Sequence, residues 1–243
     1  MRLTGKTALV TGGGTGIGLG IAIALAQEGC RVAIAGRRAD KLKAAADSYS
    51  GPGSLLTCAA DVGSPQSVGE LFRWAADKLG PIDILVNSAG VNVARRTMAE
   101  LSPEDWENML RINVSGTYYC LREVLPQMRE RKDGLIINIS STSGKRASML
   151  GGVGYCASKF AVSALGQTVA LEDGQHGIRV TNVYPGEVDT PILEHRPTPV
   201  SAERRAKMLK PEDVAAAAVM IACLPPRAHV AEIIIKPTVQ DYA

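Results

Sequence analysis

Seven short apolar runs, each separated from the next by a longer stretch of helical character, constrain this chain more than any other feature. The runs are TALVT (7–11), RVAIAG (31–36), SLLTCAA (54–60), IDILVN (82–87), GLIINIS (134–140), IRVTNVY (178–184) and AEIIIK (231–236). Strands that are apolar at nearly every position, rather than at alternate ones, must be covered on both faces. Helical segments near 16–28, 38–49, 64–79, 103–131, 155–174 and 211–223 fill the intervals. Two of them open on Ser64 and Ser102, each followed by proline, the order expected of an N-cap before a helical first turn. The pattern predicts an α/β fold: a doubly wound, seven-stranded parallel sheet with helices on both faces. No composition break marks a linker, so residues 1–243 are expected to form one domain. The stretch 187–210 has three prolines and no clean periodicity, and it follows the sixth strand at the edge where such folds bind ligands. It is expected to be a mobile flap over a site.

Bulk properties exclude several classes of function. A net charge of +3 on 243 residues is too small to suggest nucleic acid or an anionic membrane as partner. Cys30, Cys58, Cys120, Cys156 and Cys223 are scattered, with no CxxC and no histidine at ligand spacing, which predicts reduced core residues and no metal. No apolar run approaches the roughly 18 residues of a membrane helix. The chain enters its first strand within a few residues, leaving no room for a signal peptide. A cytoplasmic location is expected.

Two motifs carry chemistry. TGGGTGIG (Thr11–Gly18) joins the first strand to the first helix. Glycines there allow a tight turn and bring backbone N–H groups close to a pyrophosphate at the helix N-terminus, where a Cβ would occupy the phosphate's space. Gly12, Thr15, Gly16, Ile17 and Gly18 are the candidate contacts. The spacing Gly12-x-x-x-Gly16-x-Gly18 differs from Gly-x-Gly-x-x-Gly, and the Lys-Ser/Thr ending of an ATP-binding loop is missing, which disfavours phosphoryl transfer. The second motif, YCASK, sets Tyr155 and Lys159 one turn apart on one helix face. Such a pair is either an ordinary surface contact or an acid–base device in which the ammonium favours the phenolate.

In this order, the motifs resemble the short-chain dehydrogenase/reductase family in its compact form, over about Lys6 to Ile235. TGGGTGIG matches the family's TGxxxGxG turn. Asp61-Val62 matches its acidic residue near the adenine, and NSAG (Asn87–Gly90) is similar to its NNAG, with Ser88 in place of the second Asn. Asn113 stands where the family has a catalytic Asn, ISSTSG supplies Ser141, YCASK is its YxxxK pair, and YPGEVDT matches its PGxxxT stretch.

The resemblance implies a Rossmann-type fold and interconversion of a carbonyl and a secondary alcohol by hydride transfer. Tyr155 would be the acid for reduction and the base for oxidation, and Ser141 would hold the substrate oxygen. Lys159 would also reach the nicotinamide ribose, and Asn113 would hold a water linking Lys159 to solvent. Asp61, Val62, Asn87, Ala89, Gly90, Pro185, Gly186, Val188 and Thr190 would complete the cofactor site. Ser140 and Ser143 are alternatives to Ser141, and Asn87 could instead simply close a turn.

An NAD site normally ends its second strand with an acidic residue for the ribose 2′-hydroxyl. Here Gly36 holds that position, followed by Arg37 and Arg38, whose paired donors suit a 2′-phosphate. NADP is therefore expected in preference to NAD, with Arg37 the principal contact.

The substrate is less legible. Val91–Arg96, Ala147–Gly152 and the flap are expected to line its pocket, and Arg95, Arg96, His195 and Arg196 are either solvated or attract an anion. The basic run ERRAKMLK is expected to be a solvated face. The ending IIIKPTVQDYA is similar to the tails of family members acting on small hydroxy acids. Two readings compete with a small-molecule oxidoreductase: a 3-oxoacyl-carrier-protein reductase, and a dinucleotide-binding sensor without turnover. The resemblance also implies a homotetramer or homodimer joined through the helices near 103–131 and 155–174, where Ala157, Ala161, Ala164 and Gly166 would permit close packing.

Overall fold

The computed structural model describes residues 1–240. Seven strands, β1 (Thr7–Thr11), β2 (Arg31–Gly36), β3 (Leu55–Ala59), β4 (Ile84–Asn87), β5 (Gly134–Ile139), β6 (Ile178–Pro185) and β7 (Glu232–Ile235), pair in the order β3-β2-β1-β4-β5-β6-β7. Every pairing is parallel. The helices are α1 (Gly16–Gln27), α2 (Ala39–Ser48), α3 (Pro65–Leu79), α4 (Pro103–Leu110), α5 (Gly116–Arg131), α6 (Val153–Asp173), α7 (Ala202–Ala206) and α8 (Pro211–Ala222).

The central strands are apolar throughout because each sends alternate residues into two cores. Ala8, Val10, Ile84, Val86, Leu135 and Ile137 meet α1 and α8 on one face. Leu9, Leu85, Ile136 and Val180 meet α3 and α5 on the other. Ser64 and Ser102 are the expected caps, accepting from the backbone N–H of Ser67 (3.3 Å) and Asp105 (3.1 Å). The five cysteines are unpaired, and Cys30, Cys120 and Cys156 are buried. Among the described residues, no helix is long and apolar enough to cross a membrane.

Four expectations need correction. The long helix near 103–131 is interrupted by one π-helical turn, Arg111–Ser115, which carries Asn113 at its middle. A π-turn widens the helix by one residue and is common where a side chain must be re-aimed. The segment 187–210 is not shapeless: Pro191–His195 forms a 3₁₀ turn and Ala202–Ala206 forms α7. Its two ends are tied by backbone bonds from Leu209 N to Glu187 O (3.0 Å) and from Asp189 N to Leu209 O (2.8 Å). The basic run is not a free solvated face either. Glu187 takes Arg196 and Arg204, both at 2.9 Å, while Asp189 takes Arg205 (3.2 Å) and Lys210 (2.8 Å). Finally, Gly166 faces the sheet: a Cβ there would lie 2.1 Å from Asn182 Oδ1, so its smallness serves α6–β6 packing within the chain.

Candidate active site

In this strand order the chain leaves β1 toward one side of the sheet and β4 toward the other, so a crevice opens between their carboxyl ends. The crevice holds about 740 Å³. At one end lies the glycine turn. Gly12 has φ +66°, and a Cβ there would sit 2.8 Å from the backbone of Ala89. Any larger residue would therefore push the β1 and β4 turns apart. Thr11 holds them together, its Oγ1 accepting from the N–H groups of Ser88 (3.2 Å) and Ala89 (3.3 Å).

Gly12, Thr15, Gly16, Ile17, Gly18, Arg37, Arg38, Asp61, Val62, Ala89, Gly90, Ser141, Tyr155, Lys159, Pro185, Gly186, Val188 and Thr190 all line this one crevice. Arg37 and Arg38 are exposed at its far end, and among the described residues neither guanidinium has an ion-pair or hydrogen-bond partner. Asp61 is engaged: burial opposes its ionisation, but hydrogen bonds from Gly63 N (2.9 Å) and Arg111 (3.0 Å) hold its carboxyl below the usual range.

At the inner end, α6 presents Tyr155 and Lys159. Burial raises the Tyr155 phenol, hydrogen bonding with Ser141 opposes the rise, and the Arg96 charge opposes it further. Lys159 Nζ lies 5.5 Å from the Tyr155 ring centroid and donates to Ile139 O at 2.8 Å. Burial pushes its ammonium down to about 8. Burial is the largest influence on both groups, and it acts against the charged form of each.

The serine run is resolved by partners. Ser140 Oγ is spent on Lys159 O (3.1 Å) and Ser163 Oγ (3.1 Å), and Ser143 Oγ on Ser148 Oγ (3.3 Å). Ser141 Oγ accepts from Ser143 N at 3.1 Å and, unlike the other two, is not spent on a second serine hydroxyl or a carbonyl, so its proton is free in the crevice that it lines.

Two expected site residues do not line the crevice. Asn87 is buried and donates to Asn138 Oδ1 (2.9 Å), which belongs to a ladder continuing from Asn138 to Asn182 Oδ1 (3.1 Å) across β4, β5 and β6. The Asn87 Oδ1 is buried with no hydrogen-bond partner among the described residues. Asn113 is buried behind the wall. Its Oδ1 accepts from Val91 N (2.8 Å), and its Nδ2 donates to Val91 O (3.0 Å) and Ser158 Oγ (2.9 Å). The side chain is thus a clamp joining the π-turn, the β4 loop and α6: both of its amide N–H donors are engaged, and a water would meet it at an oxygen. Its carbonyl also accepts from Thr117 Oγ1 at 2.9 Å. Asn113→Ala is expected to strand the Val91 N–H and C=O and cost about 2–4 kcal/mol, measured by denaturant unfolding.

Gln240 was not foreseen. It lines the crevice beside Gly186, and its Oε1 accepts from Glu187 N at 2.9 Å. It lies in an aperiodic tail, where no local pattern announces a contact.

A crevice of this kind, with a glycine turn at one end and a Ser–Tyr–Lys group at the other, defines an α/β oxidoreductase of CH–OH groups. The sequence profile of the short chain dehydrogenase family matches residues 6–200, and the chain belongs to that family, whose fold binds NAD(P). The chain is 36% identical over 236 residues to an uncharacterized oxidoreductase of Staphylococcus aureus (strain MRSA252), covering 97% of this chain and 98% of that one. Among solved structures it is similar to the closed form of a serine dehydrogenase complexed with NADP+ (TM-score 0.89, 32% identity, 98% and 97% of the two chains). It is also similar to a 3-ketoacyl-(acyl-carrier-protein) reductase from Brucella melitensis complexed with NADH (TM-score 0.88, 28% identity, 97% and 98%).

Proposed function

We propose that the chain is an NADP-dependent oxidoreductase that interconverts a carbonyl and a secondary alcohol on a small molecule, with Tyr155 as general acid and base. The observation that carries this reading is that Ser141, Tyr155 and Lys159 line one crevice, with the buried Lys159 ammonium 5.5 Å from the Tyr155 ring centroid. The cofactor fits the residues present: the glycine turn leaves no side chain where a pyrophosphate would lie, and Arg37 and Arg38 have free donors for a 2′-phosphate. Gly12, Thr15, Gly16, Ile17 and Gly18 would hold the pyrophosphate end. Asp61 and Val62 would flank the adenine, and Ala89, Gly90, Pro185, Gly186, Val188 and Thr190 the nicotinamide end. Bound NADP would supply or accept the hydride.

Ser141 would fix the substrate oxygen against Tyr155, whose raised phenol remains protonated near neutral pH and is suited to give its proton to a reduced carbonyl. Lys159, held by Ile139 O, has two N–H donors to spare for ribose hydroxyls and supplies the nearby cation. Asn113 positions this group without touching the reacting atoms. The test is NADPH oxidation with a panel of aldehydes and ketones, acetoacetyl thioesters among them. No turnover of any carbonyl would leave the sensor reading standing.

For the cofactor, changing Arg37 and Arg38 together to Ala is expected to raise KM for NADPH about 10–100-fold and KM for NADH by less than about threefold. A wild-type KM for NADH below that for NADPH would reverse the preference. We place the protein in the cytoplasm as a homotetramer or homodimer, with 187–210 closing over the substrate. Exposed Tyr118 on α5 and Phe160 on α6 support association through these helices, and light scattering tests it.

A further inference from the structure

At the substrate end, Arg146, Glu187, Glu194 and Arg196 line the crevice without being fully buried, whereas a fifth charged residue, Arg96, is buried. It follows β4, lines the cleft and is only 5% exposed. Nη1 donates to Leu150 O at 2.8 Å and Nη2 to His195 O, while Nε is buried with no partner. Among the described residues no carboxylate pairs with it. The neighbouring Arg196 is neutralised by Glu187, itself shared with Arg204, and Glu194 stands exposed at the rim. A guanidinium keeps its proton throughout the accessible pH range, so a full positive charge is held here against carbonyl dipoles alone. Burying a charge without a counter-ion is costly, and a site that holds one is complete only when an anion arrives. Burial and the Arg196 charge both disfavour the Arg96 cation, whereas Tyr155 interacts with it favourably, which puts the guanidinium within electrostatic reach of the reacting phenol.

We infer that Arg96 is the counter-charge for a carboxylate on the substrate, so that the carbonyl and alcohol interconverted are those of oxo acids and hydroxy acids. This rests on the oxidoreductase reading above. It assigns Arg96 a specificity-determining role distinct from that of Tyr155: the cation attracts and orients the acid group while the phenol handles the proton.

A purely mechanical role is the competing account. Arg96 also ties three segments together, because Val153 N donates to Arg96 O at 3.1 Å and Gly152, at φ +78°, packs against its side chain, leaving 2.6 Å between a notional Cβ and Arg96 Cβ. The experiment must therefore separate charge from support. Lactate and 3-hydroxybutyrate are each compared with their methyl esters as substrates for oxidation, in wild type, Arg96→Met and Arg96→Lys.

Wild type is expected to prefer an acid over its ester by at least about tenfold in kcat/KM. Arg96→Met is expected to lower the acid's kcat/KM by on the order of 100-fold and the ester's by less than about threefold, with Arg96→Lys recovering part of the loss. Equal losses for acid and ester in Arg96→Met, or a wild type that favours the ester, would overturn the inference. If Arg96→Met does not fold, competitive inhibition of wild type by acetate and propionate against acetamide and propionamide decides: equal inhibition by acids and amides overturns it. Turnover of neutral ketones with none of the acids overturns this inference alone. No turnover of any carbonyl or alcohol overturns the oxidoreductase reading with it.

Discussion

Replacing Tyr155 with Phe is expected to lower kcat for carbonyl reduction by about 10³-fold, within the range a positioned proton donor contributes. The substitution removes one oxygen and retains the aromatic ring, so the fold and the affinity for NADPH should survive. The half-buried side chain lines the cleft together with Ser141, and among the described residues no other tyrosine does so. A tryptophan-fluorescence titration with NADPH distinguishes a lost acid from a lost cofactor: binding should change by less than about threefold. Because burial holds the phenol above its ordinary value, reduction should stay level through neutral pH and fall on the alkaline side, while alcohol oxidation should rise with pH. Equal rates for the two proteins would remove Tyr155 from the chemistry.

Lys159→Met should produce the second large effect, and in two directions. Activity is expected to fall at least about 100-fold, because the cation beside the phenol and the donors for the ribose are lost together. Stability should respond with an opposite sense of pH. The Lys159 ammonium is pushed from 10.5 down to about 8 by burial. Below pH 8 both folded and unfolded chains hold the proton, and the full penalty for burying the charge is present. As pH rises through 8 toward 10.5 the folded chain sheds the proton while the unfolded chain still binds it, so folding becomes less disfavoured.

The wild type is therefore expected to gain roughly 2 kcal/mol relative to Lys159→Met between about pH 7 and pH 10, measured by urea unfolding without cofactor. A difference that stays constant with pH would mean that the amine is hydrated in the folded protein. The same penalty links stability to function. Ribose hydroxyls that accept from Lys159 would relieve part of it, so NADPH should stabilise the wild type more than the Met variant.

The elements were legible because their signals are local. Val10 and Leu9 enter opposite cores from one strand, and that two-sided burial is written directly as an unbroken apolar run. Ser64 and Ser102 announce their helices because a cap bonds within three residues of itself. The glycine turn was legible for a related reason: Gly12 stands where the backbone has positive φ and the Ala89 chain passes close by. The π-turn at Arg111–Ser115 was not legible, since one extra residue in a helical turn leaves the apolar pattern of the flanking helices intact. The same limit hid the ion pairs of 187–210. Glu187 and its partner Arg204 are 17 residues apart, and no periodicity relates them.

The sites divide along the same line. Tyr155 and Lys159 share a helix face by spacing alone, and a parallel sheet follows from strands apolar at nearly every position joined by helical crossovers, whereas the strand order is a property of the tertiary structure. Which of Ser140, Ser141 and Ser143 meets the phenol, whether Asn87 and Asn113 touch the cleft, and whether Arg96 has a counter-ion all depend on contacts between segments distant in the chain. The sequence by itself determined the doubly wound sheet and the residue types at its carboxyl edge, because backbone preference and burial act over a few residues. Only the tertiary structure decided which of those side chains share partners, because hydrogen bonds and charges select by distance in space, and distance along the chain does not encode it.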